Sequence, residues 1–214
     1  MNASIGHDVG ALPEQIDVLV LGSGAAGLVS ALRAADAGAT VCVAEKASRI
    51  GGTTCAGGGV IWAPGTGLAA AAGFTDSAAD GIAYLSASSG HVMGRDAIEW
   101  YVRTVAEAVD FLTTRTRVRL TALARPDYRG EWPGAAAGGW SLDNDAFDPS
   151  EFPGLAEALR PSSYFPLLTM AERDALDGRA PDAALLEERR ARGIRTMGGA
   201  LVGALAASAL ERGI

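Results

Sequence analysis

Residues 17–54 read DVLVLGSGAAGLVSALRAADAGATVCVAEKASRIGGTT, and this stretch decides the fold. Val18 to Leu21 form an unbroken apolar run, which predicts a parallel strand buried on both faces. The run ends in a G-x-G-x-x-G motif, Gly22-Ser23-Gly24-Ala25-Ala26-Gly27. Apolar residues then recur at helical spacing as far as Gly38, where a C′ glycine would end the helix. A second apolar run over residues 40–44 delivers Glu45.

Each part of this stretch has a physical role in binding a dinucleotide. Gly22 permits the turn out of the strand, Gly24 lacks the Cβ that would block a pyrophosphate, and Gly27 lets helix and strand pack closely. The helix N-terminus offers N–H groups and a positive dipole end to the phosphates. Glu45, 21 residues after Gly24, is placed to accept hydrogen bonds from the adenosine ribose. An ordinary β–α–β unit with a glycine-rich turn is the competing interpretation, but the strand, helix and acid together favour a dinucleotide site.

Composition excludes several classes of protein. The chain has 214 residues, of which 49% are hydrophobic and 20% charged, as expected of a globular chain with a core. The net charge of −7 gives no indication of a nucleic-acid or anionic-membrane partner. The most apolar window is the dinucleotide stretch itself, which Ser23, Ser30, Arg33 and Asp36 interrupt, so we expect no membrane span. His7 and His91 form no ligand pair, so we expect no metal site.

The cysteines and the N-terminus bear on location. Cys42, in the second apolar run, is expected to be a buried small hydrophobe, and Cys55 a small residue in a tight loop. Two free thiols fit a reducing, cytoplasmic setting. Residues 1–15 show no positive region followed by an apolar one, so we expect a loose leader and no signal peptide.

The choice between FAD and NAD depends on the residues after Glu45. A flavin needs a second contact for its pyrophosphate and backbone that can approach a flat ring. Gly51-Gly52-Thr53-Thr54 supplies two positions without Cβ and two hydroxyls, and Gly57-Gly58-Gly59 supplies open backbone. Glycine clusters on both sides of the acid therefore favour FAD, with an NAD-binding Rossmann protein as the alternative.

The rest of the chain predicts mostly helices. They are expected over residues 68–77, 77–88 (a Ser77-x-x-Asp80 capping box), 96–114, 169–178 (a Thr169-x-x-Glu172 capping box), 182–192 and 198–211, with a strand over 118–123. Residues 125–166 are rich in proline, glycine and aromatic residues, among them Tyr164 and Phe165, and predict a functional loop segment.

These elements predict an α/β protein: a Rossmann-like FAD-binding domain with an incomplete parallel sheet, and part of a second, substrate-facing domain. Residues 16–65 form the FAD-binding core, residues 66–192 the peripheral helices and the substrate-facing loop segment, and residues 193–214 a helix that returns to the FAD domain. The strands are too few to close a doubly wound sheet, so we expect the N-terminal part of a longer protein.

The residues DVLVLGSGAAG and EKASRIGGTTCAGGGVIWAPG resemble the FAD-binding N-terminus of the fumarate reductase/succinate dehydrogenase flavoprotein superfamily. Within it, the chain is most similar to the 3-ketosteroid Δ1-dehydrogenases. The features that carry this second resemblance are GGGVIWAPG, Pro126-Asp127-Tyr128, Ser141-Leu142 with Phe147-Asp148, and GALVGAL over residues 199–205.

The resemblance implies roles for individual residues. Gly22, Ser23, Gly24 and Gly27 would hold the pyrophosphate, Glu45 the adenosine ribose, and Lys46 would lie near the adenine. Thr53 and Thr54 would contact the phosphates and the ribityl chain, and Gly57 to Gly59 would lie near the flavin ring. Tyr128 matches an active-site tyrosine that hydrogen-bonds the tyrosine acting as base. That base, and the residues that hold the substrate carbonyl, fall beyond Ile214 in the family pattern.

The resemblance also implies an activity, 1,2-dehydrogenation of a 3-ketosteroid or similar cyclic ketone with hydride transfer to flavin N5. The partners would be a small apolar ketone and an electron acceptor. The family has Gly-Arg-Ser where Gly139-Trp140-Ser141 stands and a second tyrosine where Arg129 stands, which changes the lining or rim of the substrate entrance. A fumarate-reductase-like alkene reductase and a non-catalytic FAD-binding fragment are the alternatives.

Overall fold

The structure, a computed structural model, describes residues 15–90, 92–162 and 167–214. The expected leader apart from Gln15, both histidines, Tyr164 and Phe165 lie outside these residues. The chain divides into two compact units. The first comprises Met1–Gly59, Thr116–Val118 and Asn144–Ile214, and the second comprises Val60–Arg115 and Arg119–Asp143. The predicted division at residues 15, 65 and 192 stays a prediction.

The first unit contains the predicted β–α–β arrangement. Strands β1 (Val18–Leu21) and β2 (Val41–Ala44) pair in parallel, with Val18 opposite Val41 and Leu21 opposite Ala44. Helix α1 (Ala25–Asp36) connects them and buries Leu28, Ala31 and Leu32. The helix ends at Asp36 with Ala37 as its C-cap, and Gly38 follows with φ +91°, which confirms the predicted glycine stop. The predicted mixed α/β fold with a small parallel sheet is therefore confirmed.

A buried C-terminal helix forms the other side of this unit. Helix α2 (Gly52–Ala56) is a single short turn beside it, and helix α9 (Met197–Glu211) packs against both α1 and α2. Nearly every residue of α9 is buried, which explains why it is apolar on all sides. Helix α6 (Leu155–Ala158) also packs against α9.

Two polar helices complete the first unit. Helix α7 (Met170–Leu176) begins with a full capping box between Thr169 and Glu172, as predicted. Helix α8 (Ala183–Ala191) is capped by the Asp182 side chain and buries no residue. The two helices are joined by Arg189, which donates to both carboxylate oxygens of Glu172 at 2.7 and 2.6 Å.

The second unit packs helices on a three-stranded sheet. Its strands are β3 (Ile61–Trp62), β4 (Leu120–Ala122) and β5 (Ser141–Asn144, of which Asn144 belongs to the first unit), in the order β3-β5-β4. Its helices are α3 (Leu68–Ala71), α4 (Ala78–Ser89) and α5 (Arg95–Arg115). Helix α5, expected over residues 96–114, contributes Val105 and Val109 to a core shared with Ala63 and Leu142.

Several local predictions are wrong. Leu19 and Leu21 are 52% and 79% exposed, so β1 is not buried on both faces. In the two-stranded sheet described, α1 packs on the face that carries Val20, and Gly27 of this helix lies close to the Val20 side chain. Cys42, which pairs with Leu19 in the register, is likewise only partly buried.

Other predicted bounds also differ from the structure. The helix expected over residues 68–77 ends at Ala71, because the chain turns at Gly73 with φ +87°. The strand expected over 118–123 is limited to 120–122. Cys55 lies in a helix rather than a loop, and the segment expected to be irregular contains both β5 and α6.

Candidate functional site

Ser23 joins the three segments of the first unit that were predicted to bind the dinucleotide. Its hydroxyl donates to Glu45 Oε2 at 2.6 Å and accepts from the amide of Gly51 at 2.9 Å. Its own amide donates to the same Glu45 oxygen at 3.0 Å. Ser23 is only 2% exposed, and its bond from the Gly51 amide is buried, whereas its two bonds to the Glu45 carboxylate are partly buried. The structure thus brings together the first glycine motif, the acid after β2 and the second glycine cluster.

The Glu45 carboxylate is held in its charged form. The Ser23 hydroxyl, the amide of Ala47 and the amide of Ser23 lower its pKa to about 2, against a smaller opposing effect of desolvation. The Ala47 amide donates to Oε1 at 3.0 Å, so both carboxylate oxygens are oriented. Oε2 already accepts two hydrogen bonds, from the Ser23 hydroxyl and the Ser23 amide, so a ribose hydroxyl would donate to Oε1.

The three glycines of the first motif differ in whether, and why, the fold requires a glycine at that position. Gly22 has φ +103°, a conformation that side chains rarely adopt. A Cβ on Gly27 would lie 2.0 Å from the carbonyl oxygen of Gly22, so the turn and helix could not pack with any larger residue. Gly24 has φ −69°, which any residue can adopt, and a Cβ there would meet only Thr54 Oγ1, at 3.5 Å. Gly24 is therefore open on the side where an anion could approach.

The N-terminus of α1 presents backbone N–H donors that have no partner within the helix. Its N-cap, Gly24, offers no side-chain hydrogen bond, and first-turn amides have no partner inside a helix. The amide of Ala25 donates to Thr54 Oγ1 at 3.2 Å, and Ala26 and Gly27 complete the turn. Aligned amides and the dipole of this 12-residue helix favour a negative group at this end.

The second glycine cluster lies beside this helix end. Gly51 and Gly52 both have positive φ, +111° and +51°, and lead into α2. Thr54 contacts the first motif through the amide of Ala25. Thr53 and Lys46 have exposed side chains and do not take part in the hydrogen bonds around Ser23. Their predicted contacts with a cofactor stay predictions.

Gly57 to Gly59 are held by two residues that the sequence analysis missed. Asn144 Nδ2 donates to the carbonyl of Gly59 at 2.8 Å, and the amide of Gly198 donates to the carbonyl of Gly57 at 3.2 Å. A Cβ on Gly59 would lie 2.5 Å from the Cα of Gly198. The pair Gly198-Gly199 inside an apolar helix could have signalled this close approach, whereas nothing local marks Asn144.

The backbone is strained where α9 meets this cluster. Met197 has φ +54° and is 1% exposed. A non-glycine residue in this region costs on the order of 1–3 kcal/mol, and such strain concentrates at functional sites. The strained residue directly precedes Gly198, and so lies where α9 supports Gly57.

Cys55 is packed beneath the second cluster and is not a reactive thiol. It is fully buried, and burial raises its pKa to about 11. The thiol therefore stays protonated at neutral pH. Residues 15–90, 92–162 and 167–214 contain no group of three or more His, Cys, Asp or Glu side chains that could hold a metal ion.

Tyr128 lies in the second unit, in a turn that is fixed on both sides. Asp127 accepts from Trp62 Nε1 at 2.7 Å and from the amide of Ala136 at 2.9 Å. The amide of Arg129 donates to the hydroxyl of Tyr84 at 3.3 Å. Tyr128 itself is fully exposed, at 102%. Its catalytic role stays a prediction, but the turn presents its phenol outward from a fixed backbone.

Trp140, the other departure from the family pattern, does not line an exposed surface. It is 2% exposed, and its Nε1 donates to Asp76 Oδ1 at 3.1 Å. Its ring packs edge-on against Trp62, with 5.5 Å between the centroids. Trp140 is thus part of the core of the second unit.

The open glycine positions of the first unit suit an extended cofactor. A Cβ on Gly52 or Gly58 would meet no atom within 4 Å, and one on Gly24 would meet only the hydroxyl of Thr54. These positions lie on three successive parts of the chain around an oriented carboxylate and a helix N-terminus. Such a set of residues fits a dinucleotide with a further flat ring.

Comparisons with known proteins agree with this geometry. A family model described as "FAD binding domain" matches residues 17–214. The chain is 34% identical over 209 residues to 4-oxocyclohexanecarboxylate 2-dehydrogenase of Sinomonas cyclohexanicum, covering 96% of this chain and 36% of that protein. It is 40% identical over 134 residues to 4-oxocyclohex-2-ene-1-carboxylate 5-dehydrogenase of the same organism, covering 61% and 22%.

A solved structure is similar as well. The crystal structure of 3-ketosteroid Δ1-dehydrogenase from Sterolibacterium denitrificans, in complex with 1,4-androstadiene-3,17-dione, superimposes with a TM-score of 0.82 at 26% identity. The match covers 92% of this chain and 39% of that one. The chain thus spans between about a fifth and two fifths of the length of these three proteins.

Proposed function

Because the chain belongs to the family of FAD-binding domains whose model matches residues 17–214, we propose that the full-length protein is an FAD-dependent dehydrogenase of cyclic ketones. The predicted cofactor, FAD, is confirmed by this family and by the relatives. The proposed reaction is 1,2-dehydrogenation beside the carbonyl of a 3-ketosteroid or similar cyclic ketone. The observation that carries the proposal is the hydrogen-bonded set of Ser23, Glu45 and Gly51.

The proposed cofactor contacts derive from this set. Gly22, Ser23, Gly24 and the first turn of α1 would hold the pyrophosphate, where the amides of Ala26 and Gly27 would face an anion beside the Ala25 amide, which already donates to Thr54 Oγ1. Glu45 would accept from the ribose hydroxyls. Thr53, Thr54, Gly51 and Gly52 would contact the phosphates and ribityl chain, Lys46 would lie near the adenine, and Gly57 to Gly59 near the ring.

The chemistry is divided between the cofactor and the protein. Bound FAD supplies a two-electron acceptor for the hydride lost from the substrate. The protein must remove the α-proton and stabilise negative charge on the carbonyl oxygen. Tyr128 would donate a hydrogen bond to the phenol that acts as base, and so favour its ionised form. That base is expected in the part of the family pattern beyond Ile214.

Two substrate classes are compatible with the relatives. One is a steroid, as in the bound complex of the solved structure, and the other is a small cyclic oxo-acid, as in the names of the Sinomonas enzymes. The partners proposed for the whole protein are such a ketone and an electron acceptor. The helices in residues 15–90, 92–162 and 167–214 are too short or too polar to cross a membrane. A cytoplasmic location stays a prediction.

Anaerobic reduction of the bound flavin tests the proposed function. Purified full-length protein carrying FAD is mixed without oxygen with 4-oxocyclohexanecarboxylate or with a 3-ketosteroid. We expect one of the two to bleach the visible absorption of the oxidised flavin within seconds to minutes and to yield the α,β-unsaturated ketone. A flavin that both ketones leave oxidised, yet which dithionite reduces, would refute the proposed reaction.

A further inference from the structure

Arg129 presents a fixed guanidinium group beside Tyr128 in the second unit. The guanidinium carbon lies 5.6 Å from the centre of the Trp132 ring, in a cation–π arrangement. Trp132 in turn packs against Tyr84, with 6.1 Å between the ring centres. The Tyr84 hydroxyl accepts from the backbone amide of Arg129 at 3.3 Å. Both the backbone and the charged end of Arg129 are therefore positioned by the same two aromatic residues.

The positive charge of Arg129 is poorly neutralised within the chain. Its ion-pair partner is Glu131, at 3.6 Å, and the two side chains are 62% and 64% exposed. An exposed pair at that distance contributes little. Asp127, two positions earlier in the chain, accepts hydrogen bonds from Trp62 Nε1 and from the Ala136 amide. The planar guanidinium thus keeps N–H donors that can bind a carboxylate through two parallel hydrogen bonds.

A substrate carboxylate loses water when it binds, and this loss is costly unless a cation replaces the water. A neutral steroid gains nothing from an exposed guanidinium, and would remove water from it at a cost. A fixed, weakly paired arginine beside the predicted active-site tyrosine favours a substrate with an acid group.

We propose that Arg129 binds the carboxylate of the substrate, and that the substrate is a cyclic ketone that carries a carboxylate rather than a neutral steroid. This inference rests on the proposed function, because it assigns Arg129 to the same substrate as Tyr128. Arg129 is a specificity-determining residue and takes no part in proton or hydride transfer.

Binding of an unreactive acid tests the inference. Full-length protein loaded with FAD is titrated calorimetrically with cyclohexanecarboxylate and with cyclohexanecarboxamide, its neutral analogue of similar shape. We expect the carboxylate to bind more tightly than the amide. In Arg129→Gln, carboxylate binding should weaken roughly tenfold or more, the range for loss of a charged hydrogen bond, while amide binding stays the same. The affinity of Arg129→Lys for the carboxylate should lie between those of the wild type and Arg129→Gln, because lysine keeps the charge but not the planar guanidinium.

Arg103→Gln is the matched control, because Arg103 is an exposed arginine on α5 of the same unit. We expect its affinity for the carboxylate to equal that of the wild type. Equal carboxylate affinity in Arg129→Gln and wild type, an equal loss in Arg103→Gln, or no carboxylate binding by the wild type would each overturn the inference. Unchanged flavin content and melting temperature in Arg129→Gln would confirm that the variant is folded.

A second measurement separates this inference from the proposed function. The kcat and KM of the wild type and Arg129→Gln are compared for 4-oxocyclohexanecarboxylate and its methyl ester. We expect the variant to raise KM for the acid at least tenfold with kcat nearly unchanged, and to leave both constants for the ester unchanged. Failure of both ketones to reduce the flavin would refute the proposed function, whereas turnover of acid and ester that is equally insensitive to Arg129 would refute only the role of Arg129.

Discussion

Replacing Ser23 by alanine removes one oxygen atom that makes two hydrogen bonds. The lost hydroxyl donates to Glu45 at 2.6 Å and accepts from the Gly51 amide at 2.9 Å. The Gly51 amide is buried, and a buried donor left without an acceptor costs about 1–3 kcal/mol. The bond from the Ser23 amide to Glu45 remains, so the carboxylate is only partly released. We expect Ser23→Ala to lower the free energy of unfolding by about 2 kcal/mol and FAD affinity at least tenfold.

The same variant should change the titration of Glu45. The Ser23 hydroxyl is the largest cause of the pKa near 2, so its removal should move the pKa of Glu45 upward toward the ordinary 4.5. A folded-state pKa below the unfolded value stabilises the protein above pH 4.5, and this stability is lost as the pH falls toward about 2. The stability of Ser23→Ala should therefore change less than that of the wild type as the pH falls from 4.5 toward about 2.

The assays for Ser23→Ala are urea unfolding of the full-length apo-protein, FAD titration by quenching of flavin fluorescence, and carbon-13 NMR titration of the Glu45 carboxyl. Ser30→Ala is the matched control, because the Ser30 hydroxyl makes one exposed hydrogen bond to the Ala26 carbonyl in the same helix. Equal stability, equal FAD affinity and an equal Glu45 pKa in Ser23→Ala and Ser30→Ala would refute this role of the Ser23 hydroxyl.

Two further predictions concern the support of the second glycine cluster and the tyrosine of the second unit. Gly198→Ala should destabilise the protein by about 1–3 kcal/mol in urea unfolding, because its Cβ would lie 1.9 Å from the Thr54 carbonyl oxygen. Gly199→Ala, whose Cβ would meet only Arg195 side-chain carbons at 3.6 Å or more, should be neutral or stabilising, and equal losses in the two variants would contradict this packing. Tyr128→Phe should keep its FAD content and its stability, since Tyr128 is fully exposed. Its kcat should fall by part of the roughly 10²–10⁴-fold that general-base assistance typically contributes. The pH at which the rate rises should also move upward. A wild-type kcat with an unmoved pH profile would show that Tyr128 has no catalytic role.

The sequence predicted the elements that local physics determines. The turn at Gly22, the helix stop at Gly38 and the capping box at Thr169 each depend on residues within a few positions of one another. The long helix α5 was predicted from the spacing of its apolar residues. Five of these are buried and Tyr101 is partly buried: Ile98, Val102, Val105, Val109 and Leu112 form the buried set. The choice of FAD came from glycine clusters that are visible in the sequence.

The contacts that the sequence could not predict are those between distant residues. Asn144 reaches the carbonyl of Gly59, 85 positions away, and the network around Ser23 spans 28 positions to Gly51. Helix α2 begins at Gly52, although glycine has a low helix propensity, and the packing of α2 against α9 stabilises it. Exposure of Leu19 and Leu21 depends on which elements cover the sheet, which an apolar run cannot reveal.

The proposed FAD site requires the pyrophosphate to lie at the N-terminus of α1, and the FAD affinity of Gly24→Ala tests this position directly. Gly24 has an ordinary φ, and its added Cβ would meet only Thr54 Oγ1 at 3.5 Å, so the fold should tolerate alanine. A phosphate approaching the helix N-terminus would meet the same methyl group. We predict an unchanged midpoint of urea unfolding for the full-length apo-protein and an FAD dissociation constant raised at least tenfold. An unchanged dissociation constant in a folded Gly24→Ala variant would contradict the account, because the phosphates would then lie elsewhere.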